Sequence, residues 1–196
     1  KNSLKGLKIS VQGLGHVGTH LVDYLSKDGA EIYVTDIDKK RVNIIVDKYN
    51  CTPIDSDKIL NEEVDIYAPC ALGATVNKTT IPELNCQIIA GAANNVLENP
   101  LKDSESLVKR NILYAPDYVI NAGGLINVAN ELEGYDKEKA FSQAEKIYDT
   151  SMAIFKRAKK DSITTNQAAA LQAEDRIKKI STLKSFYLPY KKTFKI

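Results

Sequence analysis

With 196 residues, 43% of them hydrophobic, the chain can bury one full core, or one doubly wound domain with a helical extension, and two independent domains would be cramped. Its 27 basic and 25 acidic residues leave a formal net charge of +2, which supplies no broad field for nucleic acid or a membrane surface and favours a small-molecule partner. Cys51, Cys70 and Cys86 are odd in number and form no C-x-x-C pair, and no apolar run reaches membrane-spanning or signal-peptide length, so a reducing, cytoplasmic setting is expected.

The first predicted element is a buried strand over Lys8–Gln12, which turns into a helix over His16–Lys27 through Gly13-Leu14-Gly15-His16-Val17-Gly18. In this G-x-G-x-x-G pattern Gly13 permits the tight turn, Gly15 lets the backbone approach a pyrophosphate, and Gly18 lets the helix lie close to the strand. The helix start adds unpaired N–H groups and a positive dipole end suited to that anion. Three glycines in six residues also occur in ordinary turns, so the context carries the weight. Val17, Leu21 and Leu25 continue an apolar stripe, Gly29 ends the helix, and a strand over Glu31–Thr35 leads to Asp36. Asp36 follows Gly13 by 23 residues, close to the spacing of a carboxylate that accepts hydrogen bonds from the adenosine ribose. That acid favours NAD over NADP, with Lys39, Lys40 and Arg41 partly offsetting its repulsion of a 2′-phosphate. His16 and His20, one helical turn apart, imitate half of a metal site but lack a third ligand at readable spacing, so no metal is expected. His16 is read as lying beside the pyrophosphate.

A helix over Lys39–Tyr49 and a short strand at 52–54 come next, then strands at 64–68, 87–90 and 112–115, separated by short helices at 57–60 and 77–81 and a longer one at 103–110. This alternation predicts an α/β, Rossmann-type doubly wound, mainly parallel sheet. From Gly123 onward the pattern is helical only, at 125–133, 137–159 and 166–184. Ala140, Ala144, Ile147, Met152, Ile154 and Phe155 form an apolar band on the second of these. The expected organisation is a dinucleotide-binding core over 1–135, a C-terminal all-helical extension over 136–184 that packs on the core or on another domain, and a tail over 185–196. The aromatic and basic tail reads as a docking arm, an oligomer contact or a loose terminus.

Ligands of open α/β sheets lie outside the carboxyl ends of the strands. Three further loops stand there. Cys70 and Ala71 belong to a small-residue turn after the strand at 64–68. Ala92, Asn94 and Asn95 follow the strand at 87–90, and their amides both donate and accept. Asn121 precedes Gly123 and Gly124, where it either caps a helix or orients a carboxamide or amino group. None of these loops holds an obvious proton-transfer group; Asp117 is the one nearby carboxylate, and an Asp after Pro is more often a turn former.

Taken in order, Gly13-Leu-Gly-His-Val-Gly18, Tyr67-Ala-Pro-Cys-Ala-Leu-Gly73, Gly91-Ala-Ala-Asn-Asn95 and Leu113-Tyr-Ala-Pro-Asp-Tyr-Val-Ile-Asn-Ala-Gly-Gly124 resemble the glutamate, leucine, phenylalanine and valine dehydrogenase family, most closely its leucine-type members. The resemblance runs from about Leu4 to Ile180 and covers the family's cofactor-binding domain. It implies reversible oxidative deamination of an aliphatic L-amino acid to its 2-oxo acid and ammonia, with NAD as cofactor, in a homo-oligomer. It also implies that Gly13, Gly15, His16, Val17, Gly18 and Asp36 hold the pyrophosphate and adenosine ribose. Cys70, Ala71, Ala92 and Asn94 then line the cofactor cleft, and Asn95 and Asn121 contact the nicotinamide ribose or substrate. Leu125 and Val128 map to the family's substrate side-chain pocket, and they read equally as core positions. Apolar residues there favour an aliphatic substrate over glutamate, whose second carboxylate would be left unpaired. His16 departs from the family, where Asn is commoner. The family's catalytic lysines and an aspartate belong to a preceding domain, so no catalytic residue is expected on this chain and it is expected to be inactive alone. Two alternatives remain: a stand-alone NAD-sensing or regulatory module whose helical extension reports occupancy to a partner, and an unrelated NAD enzyme using Asp117 as its base.

Overall fold

The computed structural model describes residues 3–132 and 134–184, with the side chains of 182–184 excepted; the predicted tail at 185–196 lies outside the described residues. Six parallel strands form one sheet: β1 (Lys8–Gln12), β2 (Glu31–Thr35), β3 (Thr52–Pro53), β4 (Val64–Pro69), β5 (Cys86–Ile89) and β6 (Leu113–Tyr114), in the order β3-β2-β1-β4-β5-β6. The fold is the α/β, Rossmann-type doubly wound sheet that the alternation predicts. β1 is apolar on one face through Ile9 and Val11, and Ser10 is buried on the other, as expected where helices and loops cover both sides of a parallel sheet.

Helices α1 (His16–Lys27) and α2 (Lys39–Tyr49) cover one face of β1 and β2, where Val22, Leu25, Val42 and Ile45 pack against Ile9, Val11, Ile32 and Val34. Asp38 starts α2 by accepting from the Lys40 N–H at 3.0 Å, and Asn50 ends it in the left-handed conformation with φ +53°. On the opposite face, α3 (Pro100–Lys109) buries Leu107 in a second core with Tyr67, Ile89, Leu84 and Val96. The α3 helix begins three residues before the predicted 103. The Asn99 side chain accepts from the Lys102 N–H at 3.1 Å while Asp103 accepts from the Asn99 N–H at 2.6 Å, a reciprocal cap with Pro100 at the first helical position.

The predicted short helices at 57–60 and 77–81 do not form. The first is a pair of consecutive turns, Lys58 N–H to Asp55 carbonyl and Asn61 N–H to Lys58 carbonyl, anchored by buried Ile59. In the second, Asn77 Oδ1 accepts from the Thr79 and Thr80 N–H groups at 2.9 and 3.1 Å, which diverts them from a helical ladder; a single 3-10 turn follows over Ile81–Glu83. The Arg110 guanidinium ties this turn to the end of α3, donating to the carbonyls of Ile81 and Leu84.

After β6 the chain forms α4 (Asp117–Ile120), which the sequence reading did not foresee, then α5 (Gly123–Glu131), α6 (Lys137–Asp161) and α7 (Thr165–Lys184). The buried stripe of α6 is Ala140, Ser151, Ile154 and Ala158, and Met152 of the predicted band is partly exposed. Ile154 and Ala158 pack against Ala168 and Ala169 of α7, with Val119 of α4 and Phe155 alongside. Thr164 and Gln167 form a capping box at the start of α7, each side chain accepting from the other's N–H at 3.1 and 3.0 Å. The Thr165 hydroxyl then donates to the Tyr114 carbonyl at 2.6 Å, seating the two long helices beside the β6 end of the sheet. No helix among the described residues is long and apolar enough to cross a membrane.

Candidate functional site

The chain leaves β1 toward β2 and leaves β4 toward β5, so the loops that follow these adjacent strands part and open a crevice at their carboxyl ends. Gly13 begins the crevice with φ +99°, donates its N–H to the Thr35 carbonyl at 2.8 Å, and comes so close to the next loop that a Cβ here would lie 2.8 Å from the Ala71 nitrogen. A Cβ at Gly18 would stand 2.0 Å from the Gly13 carbonyl oxygen, the close helix–strand approach expected of the third glycine. Gly15 differs from both. Its φ is −68°, no side chain caps the helix it starts, and a Cβ placed there meets nothing within 4 Å. The backbone at Gly15 therefore borders open space, into which the start of α1 points.

Gly13, Gly15, Asp36, Cys70 and Ala71 line one cleft of about 720 Å³, within the usual range for a cofactor pocket. Thr35, at the carboxyl end of β2, also lines it and carries a buried hydroxyl with no hydrogen-bond partner among the described residues. A dinucleotide fits this donor set: glycine backbone for close approach, a helix start for the pyrophosphate, a carboxylate for a ribose, and an unsatisfied hydroxyl in the wall. The Asp36 carboxylate is itself held in place. One oxygen accepts from the Leu14 N–H at 2.6 Å and the other from the Asp38 N–H at 2.8 Å. Each oxygen keeps a second lone pair for a ligand hydroxyl. Burial pushes the Cys70 thiol up, opposed by a hydrogen bond with the Ala92 backbone, so it stays a neutral wall at neutral pH.

Several lining residues escaped the sequence reading. Ile37 and Asp38 follow Asp36 directly, and the rule that ligands sit just beyond strand ends would have found them; Arg41, expected from the sequence to offset the charge of Asp36, does line the cleft. Arg41 lies 3.3 Å from the Asp38 carboxylate and faces the cleft from α2. Ser56 and Thr75 come from loops with no periodic signal, so nothing in the sequence marked them. His16, Val17 and Gly18 do not line the cleft itself. His16 and His20 stand edge to face, ring centroids 4.8 Å apart, in a neighbouring depression that shares Gly15 and Arg41. Among the described residues no three His, Cys, Asp or Glu side chains are grouped to hold a metal.

The remaining predicted amides gather beside this cleft. Gly73 abuts the Asn94 and Asn95 carbonyls, and the Ala74 N–H donates to the Asn95 carbonyl at 2.6 Å, joining the loops after β4 and β5. Asn121 Nδ2 donates to Asn94 Oδ1 at 2.6 Å, so these two side chains form a pair, with Asn94 and Asn95 exposed and Ala92 half-buried. Asp117 is not placed as a free base. It is only 8% exposed, and its two carboxylate oxygens accept from the Val96 and Tyr118 N–H groups at 2.8 and 2.7 Å. Leu125 and Val128 are 74% and 54% exposed on α5, which removes the reading of them as core positions; neither lines the cleft.

A sequence profile of the glutamate/leucine/phenylalanine/valine dehydrogenases matches residues 33–184. The chain belongs to this family. It is therefore related to oxidoreductases that act on amino acids with NAD(P). Among family members, an L-tryptophan dehydrogenase from Nostoc punctiforme is 50% identical over 182 residues, 93% of this chain and 52% of the relative. A leucine dehydrogenase from Bacillus cereus is 46% identical over 187 residues, 95% of this chain and 51% of the relative. The crystal structure of L-tryptophan dehydrogenase from Nostoc punctiforme superposes with a TM-score of 0.90 at 50% identity, covering 91% of this chain and 54% of the other. The chain thus spans about half the length of the family members it matches.

Proposed function

We propose that this chain is the NAD-binding domain of a leucine-type amino-acid dehydrogenase, which carries out reversible oxidative deamination of an aliphatic L-amino acid to its 2-oxo acid and ammonia. The observation that carries the reading is the open backbone at Gly15, at the start of α1 and in one cleft with the fixed Asp36 carboxylate. In this reading Gly13, Gly15 and the first N–H groups of α1 at His16, Val17 and Gly18 hold the pyrophosphate, and Asp36 accepts from the adenosine ribose. NAD, when bound, accepts the hydride from the substrate α-carbon. Cys70, Ala71 and Ala92 wall the cofactor and exclude water, while Asn94, Asn95 and Asn121 orient its nicotinamide end and the substrate. The exposed Leu125 and Val128 form part of an apolar pocket completed by a second domain, and groups outside these 196 residues supply proton transfer.

NAD is favoured over NADP because a 2′-phosphate would meet the carboxylates of Asp36 and Asp38, and the nearby Arg41 is already engaged with Asp38. In the same reading the complete enzyme is a cytoplasmic homo-oligomer. Calorimetric titration of the chain with NAD and NADP, beside turnover assays with leucine, valine and phenylalanine, tests these points. Binding of one NAD, weaker binding of NADP and no turnover are expected. Absence of NAD binding overturns the cofactor assignment, and robust turnover by residues 1–196 overturns the placing of proton transfer elsewhere.

A further inference from the structure

We infer that Asp117 is a positioning residue for the nicotinamide end of the cleft, acting through the Asn94–Asn121 amide pair; this rests on reading the chain as a cofactor-binding domain. Asp117 opens α4, and Asn121 closes it, donating its N–H back to the Asp117 carbonyl at 2.9 Å. The same residue reaches 21 positions back in sequence, where its carboxylate accepts from the Val96 N–H at 2.8 Å in a buried setting. The Val96 carbonyl accepts in turn from the Val76 N–H at 3.0 Å, and the preceding Asn95 carbonyl accepts from Ala74 at 2.6 Å. One carboxylate thus stands where the loop after β4, the loop after β5 and the start of α4 meet. The Tyr114 hydroxyl accepts from the Asp117 N–H at 3.2 Å and closes the joint from the sheet side.

The two ends of the amide pair are carried by the two segments that Asp117 joins. Asn94 lies two residues before Val96, and Asn121 lies one helical turn after Asp117. Their contact, Asn121 Nδ2 to Asn94 Oδ1 at 2.6 Å, aims both amides by fixing each against the other. A further donation from Asn121 Nδ2 to the Ala93 carbonyl at 3.4 Å adds a second, longer tether. Among the described residues of this joint the charged atoms are the Asp117 oxygens, and both accept from backbone N–H groups. An asparagine of the same shape presents one acceptor and one NH₂ group, so it leaves one of these two N–H donors facing another donor. The joint then opens, the amide pair loses its alignment, and the adenosine half of the cleft at Gly13, Gly15 and Asp36 is untouched.

The readout is the ratio of two dissociation constants, ADP-ribose over NAD, measured by calorimetry on the chain and on Asp117→Asn, Asn94→Ala and the double variant. The unaltered chain is expected to bind NAD at least about fivefold more tightly than ADP-ribose. Asp117→Asn moves the ratio toward one with ADP-ribose affinity held within about twofold, and adds little once Asn94 is already alanine. A folded Asp117→Asn chain with an unchanged ratio overturns the inference, as does a ratio of one in the unaltered chain, which leaves the cofactor-domain reading intact. Failure to bind either nucleotide overturns that reading and the inference with it. Amide hydrogen exchange on the unaltered chain needs no variant to fold: NAD slows exchange at Val96 and Tyr118 more than ADP-ribose does, and equal protection by both ligands refutes the proposed link.

Discussion

Alanine at Gly15 separates a glycine kept for the fold from one kept for a ligand. The backbone there has φ −68° and an added methyl meets nothing within 4 Å, so Gly15→Ala costs the folded chain nothing by contact. It removes conformational freedom from the unfolded chain, worth about 0.4–1 kcal/mol, and gives up the preference for glycine over alanine at a helix N-cap, worth a similar amount, so stability stays within about 1 kcal/mol of the unaltered chain. Cofactor binding is weakened, because the methyl occupies the space through which a pyrophosphate would approach the start of α1. Forcing an extra methyl into a close contact costs about 1–3 kcal/mol, which corresponds to NAD binding weakened by roughly 5- to 150-fold. Gly18→Ala is the contrasting variant. Its methyl would sit 2.0 Å from the Gly13 carbonyl oxygen, a backbone atom that cannot swing aside. The cost to stability is about 3 kcal/mol, and a chain of this size should then melt some 6–12 °C lower. Thermal melts and NAD titrations on both variants check the pair. If Gly15→Ala binds NAD as tightly as the unaltered chain, the cofactor does not cross Gly15 and the pyrophosphate is not held at the start of α1.

Asp36→Ser removes the charge that opposes a 2′-phosphate and leaves Arg41 at the same mouth; the affinity ratio of NADP to NAD should rise at least about tenfold by titration, or about 1.4 kcal/mol. Ile154 is buried between α6 and α7, so Ile154→Ala should destabilise the chain by about 2–5 kcal/mol in denaturant melts, and a loss under 1 kcal/mol would mean that the two helices do not share a packed core. Burial pushes the Cys51 thiol from 9.0 up to about 11. The unfolded chain therefore releases this proton first, and the stabilisation is complete below pH 9 and fades as the pH rises to about 11. Melting temperatures across that interval should fall less steeply for Cys51→Ala than for the unaltered chain.

The legible parts of the molecule were those written in local, repeated signals. The strand–glycine–helix unit at 8–27 and the following strand and helix were predicted at their observed bounds because apolar periodicity, Gly29 and the Asp38 cap act within a few residues. The fold class followed from alternation alone. Errors came where a side chain competes with the backbone. Asn77 turned a predicted helix into a turn, and the Asn99–Asp103 reciprocal cap moved the start of α3, although Asn-Pro in the sequence was a usable warning. Asp36, Cys70 and Ala71, expected because they follow strand ends, line the cleft. Ser56 and Thr75 reach the cleft only through tertiary folding. Asp117 was visible as a carboxylate near the right place, but its commitment to Val96 is a long-range contact that no local pattern encodes.

The order β3-β2-β1-β4-β5-β6 leaves the sheet with a single seam, the pairing of β1 with β4, between two cores that lie on opposite faces. Gly13 and Asp36 sit on one side of that seam, Cys70 and Ala71 on the other, so a dinucleotide bound as proposed would straddle it. A ligand that grips both sides favours only molecules in which the halves are docked, and at a hundred times its dissociation constant it holds them together by about 2.7 kcal/mol. Cofactor occupancy would then set the resistance of the chain to opening along β1 and β4, and a protease attacking the loops at that seam would report nucleotide concentration through the rate of cleavage.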